Sequence, residues 1–314
     1  MSDASERELD ALVVGGGIAG LTAARLLAQQ GYTVTVADEM CAGGRLINIG
    51  TMLDYPGLDG TVSGPELAAR CTESALDVGV AMVPTRVIRL DQSGGWIAQT
   101  SETTSLRARA VVLATGRGPD HTALPRAAAF AGRGVSHCAS CDGPLFAGKS
   151  VAVAGSGRWL ATEVQHLASL AESVTAVLPG EHPAGPQPVW ARTADLANVH
   201  VVTHARVAGL EPDQQGLLDT VVVEREGHAA MRLSARGLFL CDDEVPSVPE
   251  GLPGDVLEPS GAIRTHDGVS TELSGMFAAG DVRAGSVGYA VAAAADGTRA
   301  ALAAGAFISG HPRP

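Results

Sequence analysis

The chain has 314 residues, of which 46% are hydrophobic and 18% charged, a composition that predicts a globular protein large enough for two domains and excludes a largely disordered chain. The formal net charge of −12, with Lys149 as the only lysine, disfavours binding to nucleic-acid phosphates or to an anionic membrane surface. Because the apolar stretches are broken by Gly, Pro or charge, and the N-terminal MSDASERELD lacks basic and apolar targeting regions, we expect a soluble cytoplasmic protein without a membrane span.

The first predicted unit is a βαβ segment near the N-terminus. Residues 11–14 form an apolar run that predicts a buried parallel strand. A helix is predicted over 21–29, with Gly31 as the residue just past its end. Val34 and Val36 then alternate in a second strand.

The turn of this unit has the spacing of a dinucleotide-binding loop. Gly15, Gly17 and Gly20 form G-x-G-x-x-G, which allows a tight turn, close approach of a pyrophosphate and close helix–strand packing. Asp38 and Glu39 end the second strand, near the spacing expected for an acid that binds a ribose hydroxyl. Strand, helix, strand and acid in this order predict a dinucleotide site.

Two further motifs follow predicted strands. The segment 108–118 is an apolar strand that ends in Ala114-Thr115-Gly116. The segment 273–304 contains a strand, then Gly280-Asp281, then a long Ala-rich helix. An acid at a strand end can bind a hydroxylated linker, so both motifs favour a flavoprotein.

A second βαβ start is predicted in the middle of the chain, at residues 151–154, 159–171 and 174–178. Its glycine turn is Gly155-x-Gly157, but Arg158 and Trp159 follow, and the second strand ends in LPG at 178–180 rather than in an acid or an Arg cluster. We therefore expect a Rossmann-like domain that has kept its fold and lost its nicotinamide-cofactor site.

Two cysteines, Cys138 and Cys141, form a C-x-x-C motif. A structural zinc site needs a second Cys/His pair, and no second C-x-x-C exists in the chain. A purely structural disulfide would close too small a loop to stabilise much. A redox-active dithiol is the favoured interpretation. The other three cysteines, Cys41, Cys71 and Cys241, are expected to be buried small apolar residues.

Taken together, these residues resemble the low-molecular-weight thioredoxin reductase family of FAD-dependent pyridine nucleotide-disulfide oxidoreductases, over nearly the whole chain. The matching motifs are the glycine loop at 15–20, GGRLINIGTMLDYPG at 43–57, ATG at 114–116, CASCDG at 138–143 and MFAAGDVR at 276–283.

The resemblance implies an α/β fold with two Rossmann-like three-layer domains. An FAD-binding domain, 1–118 plus 245–314, would be interrupted by a smaller NAD(P)-type domain, 119–244, that contains the C-x-x-C. It also implies a homodimer. The implied FAD contacts run along the first domain from the pyrophosphate to the flavin ring: Gly15, Gly17, Ile18, Ala19, Gly20, Asp38, Glu39, Arg45, Leu46, Asp54, Thr115, Gly116, Gly280, Asp281, Tyr289, Ala290 and Val291.

The resemblance also implies roles around the dithiol. Cys141 would be the flavin-proximal sulfur and Cys138 the thiol that exchanges with an external substrate. Asp142 is the family-placed acid for proton transfer. His137 stands where the family more often has an aromatic residue; it either tunes the dithiol or is a hydrogen-bonded structural residue.

Departures from the family pattern make NADPH doubtful as a cofactor. LPG replaces a charged segment of the inserted domain, and Gly288-Tyr289 replaces an Arg-Gln pair near the flavin. Three enzymes fit: a dithiol oxidase that uses O₂, which we favour, a ferredoxin-linked reductase, or an NADPH-dependent reductase. The alternative of another class is a redox-sensing flavoprotein. The expected partners are a small-molecule dithiol or disulfide, a thioredoxin-like protein or ferredoxin, although the acidic charge slightly disfavours ferredoxin.

Overall fold

The computed structural model describes residues 8–39, 42–118, 124, 127–157, 159–241 and 245–311. Cys41 and Arg158, which the sequence analysis singled out, lie outside these residues. The chain divides into two compact units. Unit 1 comprises Met1–Gly118 and Val245–Pro314, and unit 2 comprises Pro119–Glu244.

Unit 1 is built on a mixed sheet whose main strands are β1 (Leu9–Val14), β2 (Val34–Ala37), β3 (Ala81–Val83), β4 (Val87–Gln92), β5 (Trp96–Thr100) and β6 (Ser105–Leu113). Their order in the sheet is β3-β2-β1-β6-β5-β4. The strands β3, β2, β1 and β6 are parallel to one another, and β4, β5 and β6 form an antiparallel meander.

The second half of β6 has a further parallel neighbour. β17 (Met276–Ala278) pairs there, after the point where the pairing with β5 ends. A separate two-stranded ladder joins β7 (Arg117–Gly118) to β16 (Val245–Pro246). The residues of β1 from Ala11 to Val14 are buried, as their apolar sequence predicts for a strand covered on both faces.

Helices pack on this sheet. They are α1 (Ile18–Gln29), α2 (Gly64–Leu76) and α6 (Ala290–Gly310). α1 begins three residues before its predicted start at Leu21, because Gly17 is already its N-cap. Gly31 ends it as predicted, with φ +89° and its N–H donating to the Ala28 carbonyl at 2.9 Å.

The helix α6 corrects one expectation. By length and composition alone it is apolar enough to cross a membrane, although we expected no such stretch. In the structure it packs closely on α1: a Cβ added to Gly297 would meet the Ala19 carbonyl oxygen at 2.2 Å. It also contains a buried ion-paired residue, Asp296. These contacts are those of a core helix of unit 1.

Unit 2 contains a five-stranded parallel sheet with the order β11-β10-β9-β15-β8 and a three-stranded antiparallel sheet. The parallel strands are β8 (Val135–Ser136), β9 (Ser150–Ala154), β10 (Ser173–Val177), β11 (Val199–Val202) and β15 (Gly237–Leu240); the antiparallel ones are β12 (Ala205–Pro212), β13 (Leu218–Arg225) and β14 (Met231–Ser234).

The helices of unit 2 are short. They are α3 (Ala139–Asp142), α4 (Leu160–Ala168) and α5 (Gln187–Ala194). The helix predicted over 159–171 is therefore shorter at both ends, and the strand predicted over 174–178 is shifted by one residue. Each unit has a βαβ start whose two strands pair in parallel, which confirms the predicted α/β class with two Rossmann-like units.

Candidate functional site

The first glycine turn leaves no room for side chains at two of its three glycines. Gly15 has φ +103°, and a Cβ there would meet the Ala114 carbonyl oxygen at 2.4 Å. A Cβ on Gly20 would meet the Gly15 carbonyl oxygen at 1.9 Å. The turn between β1 and α1 is thus packed against the end of β6, and it leads into the N-terminus of α1, whose backbone N–H groups are of the kind that bind an anion.

The GGR segment lies directly against this turn. The Gly43 N–H donates to the Gly16 carbonyl at 2.8 Å, and a Cβ on Gly44 would meet the Gly17 Cα at 2.9 Å. The segment continues as a 3₁₀ turn, Gly44–Asn48, in which Arg45 is half-buried and Leu46 is buried. The fold therefore brings the first and second predicted cofactor motifs together.

Asp38 closes the turn from the side of β2. Its carboxylate accepts the Gly16 N–H at 2.6 Å and the Ala42 N–H at 3.4 Å. Glu39, the other predicted acid, is exposed. The structure thus gives Asp38 a role in holding the loop, in addition to the ribose contact that remains a prediction.

We expect Asp38→Ala to raise the dissociation constant of FAD by about 10-fold or more, because a carboxylate hydrogen bond to the loop and the predicted ribose acceptor are both lost. The measurement is the affinity of deflavinated protein for added FAD, followed by flavin fluorescence. Glu73→Ala, which removes an exposed acid of α2 outside the predicted FAD contacts, is the control and should bind like the parent. Equal FAD affinity of Asp38→Ala and the parent would contradict the assignment.

Asp281, the acid of the segment MFAAGDVR at 276–283, lies in the same region. Gly280 has φ +73°, and a Cβ there would meet the Ala19 Cβ at 3.0 Å, so Gly280 lies against the first turn of α1. Asp281 accepts a hydrogen bond from the Ser286 hydroxyl at 2.6 Å. The structure therefore places Asp281 at the end of β17, beside the glycine turn.

An ion pair that we did not predict lies behind this acid. Arg283 donates from Nε to one Asp296 oxygen at 2.5 Å and from Nη2 to the other at 3.0 Å. Gly280 N–H donates to the same carboxylate at 3.3 Å. Only 4% of Asp296 is exposed, so the pair ties α6 to the turn that bears Asp281. An acid at position 296, with no other charged residue between Ala290 and Thr298, was the available sequence signal.

The remaining predicted cofactor residues lie after β6, at the start of α6 and at exposed positions. The Thr115 hydroxyl donates to the Ser247 carbonyl, and the Ser247 N–H donates to the Gly116 carbonyl at 3.1 Å, so both residues join the two parts of unit 1. At the start of α6, Ala290 packs in one cluster with Leu46. The other three, Asp54, Tyr289 and Val291, are exposed.

The cradle in unit 1 fits a dinucleotide cofactor such as FAD. Gly15 and Gly20 have no space for a Cβ, the first turn of α1 contains no acidic residue, and the carboxylates of Asp38 and Asp281 follow two strand ends. Backbone N–H groups suit a pyrophosphate, and carboxylates suit ribose or ribityl hydroxyls.

In unit 2, Cys138 and Cys141 form a disulfide with an S–S distance of 2.10 Å. They lie at the N-terminus of α3, where the Cys141 N–H donates to the Cys138 Sγ at 3.0 Å. Cys141 is exposed and Cys138 is half-buried. Exposure alone does not assign the exchanging thiol to Cys138, so that role remains a prediction.

Two polar residues that sequence analysis missed hold this segment. Glu163 of α4 accepts the Ala139 N–H at 2.9 Å. Ser136, at the end of β8, donates to the Asp142 carboxylate at 2.6 Å and accepts the Cys138 N–H at 3.0 Å. Asp142 also donates its own N–H to the Cys138 carbonyl at 3.1 Å. The predicted acid and the dithiol are thus joined by one local network.

His137 precedes the dithiol and is exposed. It lines a mainly apolar pocket of about 170 Å³ together with Val135, Leu240 and both Ala127 and Ala128 of the 3₁₀ turn that follows Leu124. Whether it tunes the dithiol or has a structural role is not decided by these contacts, and both interpretations stay predictions.

The second glycine turn differs from the first. The helix α4 begins at Leu160, three residues after Gly157, whereas α1 begins directly after Gly17. The Ala184 N–H donates to the Ser156 carbonyl at 2.7 Å, so the proline-rich segment after β10 lies against the turn. Glu163 places an acid in the first turn of α4. An acid there disfavours a phosphate.

The cysteines outside the motif were predicted to be buried, and this was wrong for the two that the structure describes: Cys71 and Cys241 are half-buried. Desolvation raises the pKa of the Cys71 thiol, and Arg25 opposes this only in part, so Cys71 is a poor thiolate. Within the described ranges, no group of three His, Cys, Asp or Glu side chains is arranged to hold a metal ion.

Comparisons with known proteins point to one family. The family model described as pyridine nucleotide-disulphide oxidoreductase matches residues 9–297. The chain is 32% identical to a thioredoxin reductase of Aquifex aeolicus, over 98% of this chain and 96% of that protein.

Solved structures agree on the fold. A thioredoxin reductase of Lactococcus lactis matches with a TM-score of 0.89 at 24% identity, covering 96% of this chain and 100% of that one. A thioredoxin reductase of T. acidophilum matches with a TM-score of 0.85 at 25% identity, covering 96% of this chain and 99% of that one.

Proposed function

Because the chain belongs to the pyridine nucleotide-disulphide oxidoreductase family and is a flavin-dependent disulfide oxidoreductase of thioredoxin reductase type, we propose that it oxidises a dithiol without using NADPH. In this proposal Cys138 and Cys141 exchange electrons with an external thiol substrate. An FAD held by the glycine turn and Asp38 of unit 1 would supply the two-electron chemistry between the reduced cysteine pair and O₂.

The chemistry of the chain's own residues is thiol–disulfide exchange. A substrate thiolate attacks the Cys138 Sγ, the Cys138–Cys141 bond breaks, and the electron pair leaves on the Cys141 Sγ. The second substrate thiol gives its proton to Asp142 and attacks the substrate sulfur of the mixed disulfide. The substrate departs as a disulfide, and Asp142 returns the proton to the Cys138 sulfur. The Cys pair has then gained two electrons and one proton.

The observation that supports independence from NADPH is the contrast between the acids at the two glycine turns. At the first, the Asp38 carboxylate that follows β2 accepts the Gly16 N–H at 2.6 Å, and the first turn of α1 has no acidic residue. At the second, β10 is followed by LPG instead of an acid, and Glu163 lies in the first turn of α4. The residues after β10, LPGEHPAGP at 178–186, contain no Arg or Lys to bind a 2′-phosphate.

The alternatives to a dithiol oxidase differ in their electron donor or in the rate at which they react with thiols. In a ferredoxin-linked reductase, electrons would pass from ferredoxin to the Cys138–Cys141 pair and on to a substrate disulfide. Association of ferredoxin with this chain would be slowed, because both would be acidic. A redox sensor would react only slowly with thiols. We also propose a homodimer that works in the cytoplasm on a small dithiol or a thioredoxin-like protein.

The test is an anaerobic titration of the purified holoprotein with NADPH and then NADH, followed by the flavin absorbance. We expect stoichiometric nicotinamide to leave the flavin oxidised. Dithiothreitol should bleach it, and air should restore it. Rapid bleaching by NADPH would overturn the proposal and favour an NADPH-dependent reductase. Failure of dithiothreitol to bleach the flavin would argue against the dithiol oxidase and direct the next test to reduced ferredoxin.

A further inference from the structure

A single buried hydroxyl connects the predicted acid to the backbone of the dithiol. Ser136 is only 6% exposed, and its Oγ lies 2.6 Å from Asp142 Oδ2 and 3.0 Å from the Cys138 nitrogen. Ser136 is fixed by the sheet, because it is the last residue of β8 and pairs in parallel with Phe239 of β15. The hydroxyl is therefore held by the core of unit 2.

We propose that Ser136 is a positioning residue for proton transfer at the Cys138–Cys141 pair, acting through Asp142. The proposal rests on the proposed function, in which Asp142 moves the proton of the second substrate thiol. Ser136 does not itself touch a reacting sulfur in this scheme.

The division of the hydrogen bonds follows from the chemistry of a hydroxyl. Ser136 has one proton to donate and two lone pairs to accept with. The Asp142 carboxylate at 2.6 Å competes for that proton with the Cys138 carbonyl at 3.3 Å. A charge-assisted bond is the shorter and stronger one, so the proton goes to Asp142 and a lone pair accepts the Cys138 N–H.

The same contacts set the geometry of the reacting groups. The carboxylate oxygen that is bonded to Ser136 is held, so the other oxygen of Asp142 keeps a defined position for the proton. The Cys138 N–H and the Asp142 N–H are both engaged within the loop, to Ser136 and to the Cys138 carbonyl. Loss of the hydroxyl would free the carboxyl group to rotate and leave a buried N–H without this acceptor.

The reaction that should slow is the reduction of the Cys138–Cys141 disulfide by a dithiol. One S–S bond of the protein breaks and one S–S bond forms in the dithiol, which loses two electrons to the Cys pair. One proton passes from the second dithiol sulfur through Asp142 to the Cys138 sulfur, and the proton of the first dithiol sulfur has already left to solvent. Since Ser136 acts on the second proton, its effect requires the Asp142 carboxyl.

The experiment uses dithiothreitol as the dithiol and the full holoprotein under anaerobic conditions. Samples are quenched with an alkylating reagent, and the alkylated Cys138–Cys141 peptide is quantified by mass spectrometry, which does not depend on the flavin signal. The rate is measured for the parent, Ser136→Ala, Asp142→Asn and the double variant. Ser150→Ala is the matched control, because it also removes a hydroxyl hydrogen bond, to Ser173 at 2.9 Å, in the same unit.

We expect Ser136→Ala to slow disulfide reduction by about 10-fold in the parent background and by less than about 2-fold in the Asp142→Asn background. Ser136→Thr keeps the hydroxyl and should recover most of the rate. Ser150→Ala should react at the parent rate.

The possible failures are distinguishable. An equal loss from Ser136→Ala in both backgrounds, or no loss in the parent, would overturn the positioning role of Ser136. A parent-like rate for Asp142→Asn would overturn the proposed role of Asp142 and the Ser136 proposal with it. If Ser136→Ala unfolds, Ser136→Gly, which also lacks the hydroxyl, is measured in the two Asp142 backgrounds, and an equal loss in both, or no loss in the parent background, contradicts the proposal.

Discussion

Replacing Cys141 by serine is expected to abolish electron transfer between an external dithiol and the bound flavin, by on the order of 10³-fold or more, while FAD stays bound. The physical reason is that a serine hydroxyl could neither form the disulfide nor leave as a thiolate. The cofactor cradle lies in unit 1, and the disulfide lies in unit 2, so the substitution touches no predicted FAD contact. The measurement is anaerobic flavin bleaching by dithiothreitol, with FAD content taken from the absorbance of the isolated protein.

The same variant tests which sulfur meets the substrate. With Cys141→Ser, the remaining thiol of Cys138 should form a stable mixed disulfide with the aromatic disulfide DTNB, visible as one added thionitrobenzoate by mass. Cys138→Ser should form this adduct more slowly if Cys138 is the exchanging thiol. Cys71→Ser is the control and should behave like the parent, because its thiol has a raised pKa. Full-rate bleaching by Cys141→Ser would refute the assigned roles.

Asp296→Ala should lower the free energy of unfolding of unit 1 by about 3–5 kcal/mol, since it leaves the Arg283 guanidinium buried without its partner. The carboxylate accepts two hydrogen bonds from Arg283 and one from the Gly280 N–H, and 14% of the Arg283 side chain is exposed. Chemical denaturation of the deflavinated protein gives the difference without a contribution from FAD binding.

Two variants make this prediction specific. Glu211→Ala breaks the exposed pair with Arg232 and should leave the denaturation midpoint unchanged. Combining Arg283→Met with Asp296→Leu removes both charges and should recover part of the lost stability, because no unpaired buried charge remains. A destabilisation by Asp296→Ala no larger than that of Glu211→Ala would show that the buried pair does not stabilise unit 1.

The segments with strong local patterns could be predicted from the sequence. The apolar run of β1, the glycine spacing and the positive φ of Gly31 are set by contacts within a few residues. The two Rossmann-like units followed from two such βαβ segments. The ends of helices, such as those of α4, were predicted less accurately than their existence. The residue at which a helix ends depends on the cap that the neighbouring loop supplies.

Other parts of the candidate site depended on residues far apart in the chain. The glycine turn rests on the Gly43 N–H, and Asp281 is supported by an ion pair with α6. No local pattern specifies these partners, because they are brought together only when separate strands and helices pack on one sheet.

The two βαβ-based units, the glycine turn and the C-x-x-C-D motif could be predicted from the sequence alone, since each is a short pattern with its own chemistry. Tertiary packing sets the contacts that hold Asp38 against the loop, the Ala184 N–H against the second turn and Ser136 between the dithiol and Asp142. The reason is that a hydrogen bond needs its two atoms within about 3.5 Å, and packing across elements sets that distance.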